Sequence, residues 1–141
     1  MAKVFIGSDH AGYSLKAYLI PLISQAGYEV VDLGPESEQS CDYPVFANKV
    51  CEAVLAEKGL GLLICGTGVG MSMAANKVAG IRAALCTNEY MARMTRAHND
   101  ANVLCMGERV TGPGVAEAIA LAFLGTEFEG GRHQRRIDLF S

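Results

Sequence analysis

Four stretches of this 141-residue sequence gather side chains able to move a proton or grip an anion. In Cys65-Gly66-Thr67-Gly68-Val69-Gly70 a thiol precedes three glycines within five residues. Such a turn lets the backbone bend sharply and aim several N–H groups at one point, and a helix following it adds the positive end of its dipole. A thiol placed there sits where the thiolate is favoured, so it can act as a base. The string lacks the Gly-Lys-Ser/Thr ending of a nucleotide P-loop and does not match GxGxxG, which points to an anion hole of another kind. Cysteine is also a common small core residue, and the turn alone leaves that reading open.

The other three stretches carry an acid, imidazoles and guanidinium groups. Gly7-Ser8-Asp9-His10-Ala11-Gly12 sets Asp9 and His10 directly after an apolar run; Ser8 or Asp9 could equally cap a helix there. In Arg96-Ala97-His98-Asn99-Asp100 a helical pattern dissolves into polar residues, and His98 could serve as an acid–base group or merely satisfy the last carbonyls. In Gly130-Gly131-Arg132-His133-Gln134-Arg135-Arg136, Arg132 and Arg136 stand four apart on one helical face, a spacing that can grip a phosphate. His133 and Arg135 fit a solvated helix end better.

These groups must be held by a scaffold, and apolar runs alternate with amphipathic segments along the chain. Strands are predicted at VFIG (from Val4), EVVDL (from Glu29), GLLIC (from Gly61), RAALC (from Arg82) and NVLCM (from Asn102). Most are continuous apolar runs, the mark of parallel strands covered on both faces. Helices are predicted over 13–25, with Pro21 as a possible kink, over 44–57, where the apolar stripe makes Cys51 a core residue, and over 69–77, 88–97, 114–124 and 132–139. The fold class is therefore α/β: a three-layer α/β/α sandwich around a five-stranded parallel, Rossmann-like sheet. In such sheets ligands bind beyond the carboxyl ends of the strands, where Cys65 falls; Cys86 and Cys105, also at strand ends but with no glycine turn after them, are assigned to the core.

Composition narrows the function. The length suits a single domain over residues 1–141. A net charge of -3 with no basic-aromatic interleaving argues against nucleic acid, and no apolar run is long enough for a membrane span. Five cysteines, odd in number and without a CxxC pair, suit a reducing, cytoplasmic setting. With 50% hydrophobic residues, a chain this small is expected to bury surplus apolar surface in an oligomer.

Together the motifs SDHAGYSLK, CDYP, LLICGTGVGMSMAANKVAGIRAALC, RAHNDANVLCMGER and FEGGRHQRR resemble the ribose-5-phosphate isomerase B family, which also includes galactose-6-phosphate isomerase subunits. The match runs from Lys3 to about Phe140. The resemblance implies an aldose–ketose isomerase that interconverts ribose 5-phosphate and ribulose 5-phosphate through a cis-enediolate. It implies Cys65 as the base between C2 and C1, the turn Gly66, Gly68, Val69 and Gly70 as the enediolate cradle, and His98 with Thr67 as the ring opener. Asp9 and Tyr43 are implied to orient sugar hydroxyls, and His10, Arg109, Arg132 and Arg136 to bind the phosphate. Asn99 is implied to reach the substrate from a neighbouring subunit. One family branch uses a glutamate early in the helix after the glycine turn; Met71 stands there, so the cysteine branch applies.

The resemblance also implies a homodimer or dimer of dimers with a shared site, to which the helix from about Arg132 contributes. No metal or redox cofactor is expected, since an enediolate shift needs only a base and anion stabilisation, and no His/Asp/Glu group has metal-ligand spacing. Two other functions remain in play: isomerisation of a six-carbon aldose phosphate such as allose or galactose 6-phosphate, and noncatalytic sugar-phosphate binding.

Overall fold

The computed structural model describes residues 2–141. Its strands β1 (Lys3–Ser8), β2 (Glu29–Asp32), β3 (Leu60–Cys65), β4 (Ala83–Leu85) and β5 (Val103–Gly107) form one sheet in the order β2-β1-β3-β5-β4. Every pairing is parallel, as continuous apolar runs lead one to expect. The helices are α1 (Tyr13–Gln25), α2 (Tyr43–Glu57), α3 (Val69–Ala75), α4 (Glu89–Asn99), α5 (Pro113–Leu124) and α6 (Arg132–Asp138).

Two apolar clusters define the layers. Val4, Ile6, Leu62 and Leu104 point toward Leu15 and Leu19 of α1, Ala92 of α4 and Ile119 and Phe123 of α5. Their strand neighbours Phe5, Leu63 and Cys105 point the other way, onto Val50 and Val54 of α2 and Met71 of α3. The alternation along each strand thus feeds both faces of a three-layer sandwich. Cys51, Cys86 and Cys105 are all buried, as their stripe and strand-end positions suggested.

The boundaries differ from expectation where side chains intervene. Helix α3 stops before Lys77 because Asn76 turns out to clamp β4: its Nδ2 donates to the Ala83 carbonyl at 2.9 Å and its Oδ1 accepts from the Ala83 amide at 2.8 Å. Helix α4 runs past Ala97 to include His98 and Asn99, and ends on Asp100 in the left-handed region, φ 47°. Helix α1 continues through Pro21; the carbonyl that proline leaves unpaired, four residues back on Ala17, lies on the exposed side where water can serve it. Among the described residues no helix is long and apolar enough to cross a membrane.

Candidate active site

Strand order reverses between β1 and β3: β2 lies outside β1 on one side and β3 on the other, which opens a crevice at their carboxyl ends. The segments entering that crevice are the two most polar turns of the sequence. Asp9 follows Ser8, which pairs with Ile64, and the Asp9 amide donates to the Ile64 carbonyl at 3.1 Å. Cys65 is the next residue, only 6% exposed.

Around Cys65 the backbone is arranged to receive negative charge. The Gly68 amide donates to the Cys65 sulfur at 3.0 Å. Gly68 holds φ 84°, and a Cβ on it would lie 2.6 Å from Leu85 Cδ1 and 2.9 Å from the Met106 carbonyl carbon. Both the backbone conformation and the space admit only glycine, so this residue type is what puts the amide against the sulfur. The Val69 amide donates to Thr67 Oγ1 at 3.2 Å, which fixes the exposed Thr67 side chain over the same turn.

Neighbouring elements supply the rest of this cluster. The Arg109 amide donates to the Gly66 carbonyl at 3.0 Å, and its Nη1 lies 3.3 Å from where a Gly66 Cβ would stand. The Tyr43 ring covers Gly70 so closely that a Cβ there would meet it at 2.9 Å. His10 Nδ1 accepts from the Cys41 amide at 3.3 Å, so a neutral ring carries its proton on Nε2, free to donate. Asp9 does cap the short 3-10 turn that follows it: Oδ1 accepts from the Ala11 and Gly12 amides at 2.9 and 3.1 Å, leaving the other carboxylate oxygen for a ligand. Lys16, buried, bonds Asp32 Oδ1 at 2.8 Å and the Pro35 carbonyl at 2.7 Å, and so anchors the segment that carries Cys41.

Within one chain His98, Asn99, Arg132 and Arg136 do not join this group. They lie at the amino edge of the sheet, where α4 ends and β5 begins. His98 stacks on His133 with ring centroids 4.2 Å apart, the Asn99 carbonyl accepts from Arg82 Nε at 3.1 Å, and α6 packs on α4. Arg135 is exposed on α6, as its solvated-end reading expects, and Arg132 and Arg136 are exposed beside it. His133 is the exception to the solvated-end reading: it is 8% exposed and turned inward beside Ile137. Burial, then the His98 ring and the Arg132 charge, hold its imidazole below the ordinary histidine value.

The family description that fits residues 4–140 is ribose/galactose isomerase. The chain belongs to this family. It is similar to ribose-5-phosphate isomerase B of Escherichia coli, 48% identical over 98% of this chain and 93% of that one. Among solved structures it is similar to Clostridium thermocellum ribose-5-phosphate isomerase B, 54% identical with a TM-score of 0.95 over 97% of this chain and 93% of that one. It also resembles the Trypanosoma brucei type B ribose 5-phosphate isomerase, 46% identical with a TM-score of 0.95 over 99% and 96% of the two chains.

Two features of this ribose/galactose isomerase escape sequence reasoning. Glu108, between Gly107 and Arg109, accepts from the Leu15 amide at 2.7 Å and so ties the start of α1 to the loop bearing Arg109. Glu129 and His133 stand four residues apart, but the intervening Gly130 and Gly131 break any helical reading of that spacing. The fold nevertheless brings His98, Glu129 and His133 together, a donor cluster that the sequence spacing had not disclosed.

Proposed function

We propose that this ribose/galactose isomerase interconverts ribose 5-phosphate and ribulose 5-phosphate, with Cys65 as the base. The observation that carries the reading is the buried hydrogen bond from the Gly68 amide to the Cys65 sulfur. A passive sugar-phosphate binder needs no thiol aimed by a backbone amide; proton transfer through an enediolate does. The Cys65 thiolate takes the proton from C2 of the open-chain aldose, and the electrons move to the C1 carbonyl oxygen. The enediolate rests on the amides between Gly66 and Gly70, and the thiol returns the carbon-bound proton to C1 while the O2 hydroxyl proton passes to O1, so that the carbonyl forms at C2 and a hydroxyl at C1. Asp9 and Tyr43 orient hydroxyls, and His10 Nε2 and Arg109 meet the phosphate from the same chain.

The remaining groups come from a second copy. His98 opens the furanose ring with Thr67, Asn99 contacts the substrate, and Arg132 and Arg136 complete the phosphate site. A shared site is supported by the position of His98 at the amino edge, away from Thr67, and by apolar side chains left exposed around the turn and on α4, among them Val69, Met73, Tyr90 and Met91. A homodimer, alone or paired as a dimer of dimers, covers such surface. The five cysteines, all free, favour a reducing cytoplasmic compartment for this single domain.

An isomerisation assay in EDTA on ribose 5-phosphate, allose 6-phosphate and galactose 6-phosphate tests the reading. Turnover of the five-carbon pair is expected. Turnover confined to a six-carbon substrate would move the assignment within the family, and conversion of none would reduce the protein to a binder.

A further inference from the structure

His98, Glu129 and His133 face one another without a hydrogen bond between them. His98 Nε2 lies 3.8 Å, and His133 Nε2 3.6 Å, from the same Glu129 Oε1, both beyond hydrogen-bond reach. The three donor atoms fall within 4.8 Å of one another. We propose that they form a binding site for a late first-row divalent cation of the Zn²⁺ class.

Two imidazoles and one carboxylate form a donor set that such borderline cations take, whereas Mg²⁺ and Ca²⁺ prefer oxygen ligands throughout. At bond lengths of about 2.0–2.2 Å, tetrahedral ligands stand roughly 3.4 Å apart, so the two nitrogen–oxygen gaps close by under about half an ångström. The imidazole rings now stack at an interplanar angle of 13°. Capture fans them apart so that each in-plane lone pair meets the ion. Within one chain the His98 side chain is 40% exposed and free of packing that would block that rotation, while His133 at 10% is the fixed member.

The backbone already holds the ligands in position. The Glu129 amide donates to the Ala97 carbonyl at 3.0 Å, which sets this carboxylate next to His98. Gly130 and Gly131 take φ 72° and 58° and turn the chain, so that His133, whose amide donates to the Gly130 carbonyl at 3.1 Å, folds back toward Glu129. Three protein ligands leave a fourth position open to water, and the ion ties α6 to α4. The site is inhibitory: the ion occupies the lone pair that His98 needs for ring opening. That consequence rests on the proposed role of His98; the binding itself does not.

The test is a titration of the metal-free chain with Co²⁺, followed by visible absorption. A d–d spectrum saturating at a single ion per chain is expected, unchanged in Cys65→Ala. Loss even of an outer partner typically weakens metal binding 10–100-fold, so Glu129→Gln and His133→Gln should each weaken it by at least about tenfold. Imidazole NMR signals of His98 and His133 in the unmutated chain should both shift with Zn²⁺, which decides the matter if either variant fails to fold. No saturable binding, a sulfur-to-cobalt band that disappears in Cys65→Ala, or unmoved histidine signals would overturn the proposal. At saturating substrate Zn²⁺ should also slow ribose 5-phosphate more than ribulose 5-phosphate, reversibly with EDTA. Equal sparing of both substrates, with Co²⁺ bound as described, would refute the role of His98 and leave the metal site standing.

Discussion

Cys65 ends β3 at the carboxyl edge of the sheet, whereas His98 lies in the last turn of α4 at the amino edge. Cys65 pairs with Gly107 and the amino end of β5 is Val103, so the length of β5 alone separates the two levels by about 13 Å. No rotamer closes that distance. If both residues act on one sugar, they come from different copies. Mixing Cys65→Ala with His98→Asn chains under exchange conditions should then restore activity, because each heterodimer holds one intact site. With random pairing the recovery should approach about a quarter of the parental rate. Absence of rescue despite demonstrated exchange would place both groups in one chain.

Ring opening and proton transfer should separate kinetically. Ribulose 5-phosphate, with its C5 oxygen esterified, cannot close to a furanose and needs no opening. His98→Asn should therefore lower kcat at saturating ribose 5-phosphate by about 10²–10⁴, the usual contribution of a positioned acid–base group, and kcat for ribulose 5-phosphate much less, while the two kcat/KM values fall together as the fixed equilibrium requires. Equal losses of kcat in initial-rate measurements would assign His98 to proton transfer or to binding.

Arg132 and Arg136 project from α6 without an acidic partner within salt-bridge distance among the described residues, although Arg96 and Arg82 are both tied to Asp100. A charge-assisted bond to phosphate is worth about 1.5–3 kcal/mol, so Arg136→Ala should lower kcat/KM for ribose 5-phosphate by about ten- to a hundredfold. Free ribose, a poor substrate for the parent, should lose nothing further. The same fractional loss on both sugars would make Arg136 structural.

The five thiols should differ sharply in alkylation at pH 8. Burial, with Glu52 adding to it at Cys51, pushes the Cys51 and Cys86 thiols up to about 11, and burial raises Cys105 well above the usual range. These three should stay unmodified in the folded protein while Cys41 and Cys65 react, and ribose 5-phosphate should protect Cys65. Peptide mass mapping after brief iodoacetamide treatment reads this directly. Comparable labelling of Cys105 would contradict the burial argument.

Periodicity made much of this architecture legible. The continuous runs at Val4, Gly61 and Asn102 have the pattern of buried parallel strands, and the Val50, Cys51, Val54 stripe has the spacing of a helix face packed on them. Strand order was not legible, because the position of β4 outside β5 depends on the clamps from Asn76 and Asn102 rather than on pattern. Cys65 could be singled out because glycines surround it, and the Gly68 amide on its sulfur follows from the same glycines. The cationic neighbours of His133 suggest a wet helix end, while its actual environment is set by the His98 ring from α4, distant in sequence. The separation of His98 from Cys65 was equally hidden, since motif order says nothing about which edge of the sheet a helix end reaches.

The most direct test of the account is the rate at which Cys65→Ala interconverts ribose 5-phosphate and ribulose 5-phosphate in EDTA, with circular dichroism and sedimentation compared to the parent. Loss of the base should slow turnover by about 10²–10⁴ while the fold and assembly persist. A variant within about tenfold of the parent, a barrier change of only about 1.4 kcal/mol, would show that Cys65 is not the base.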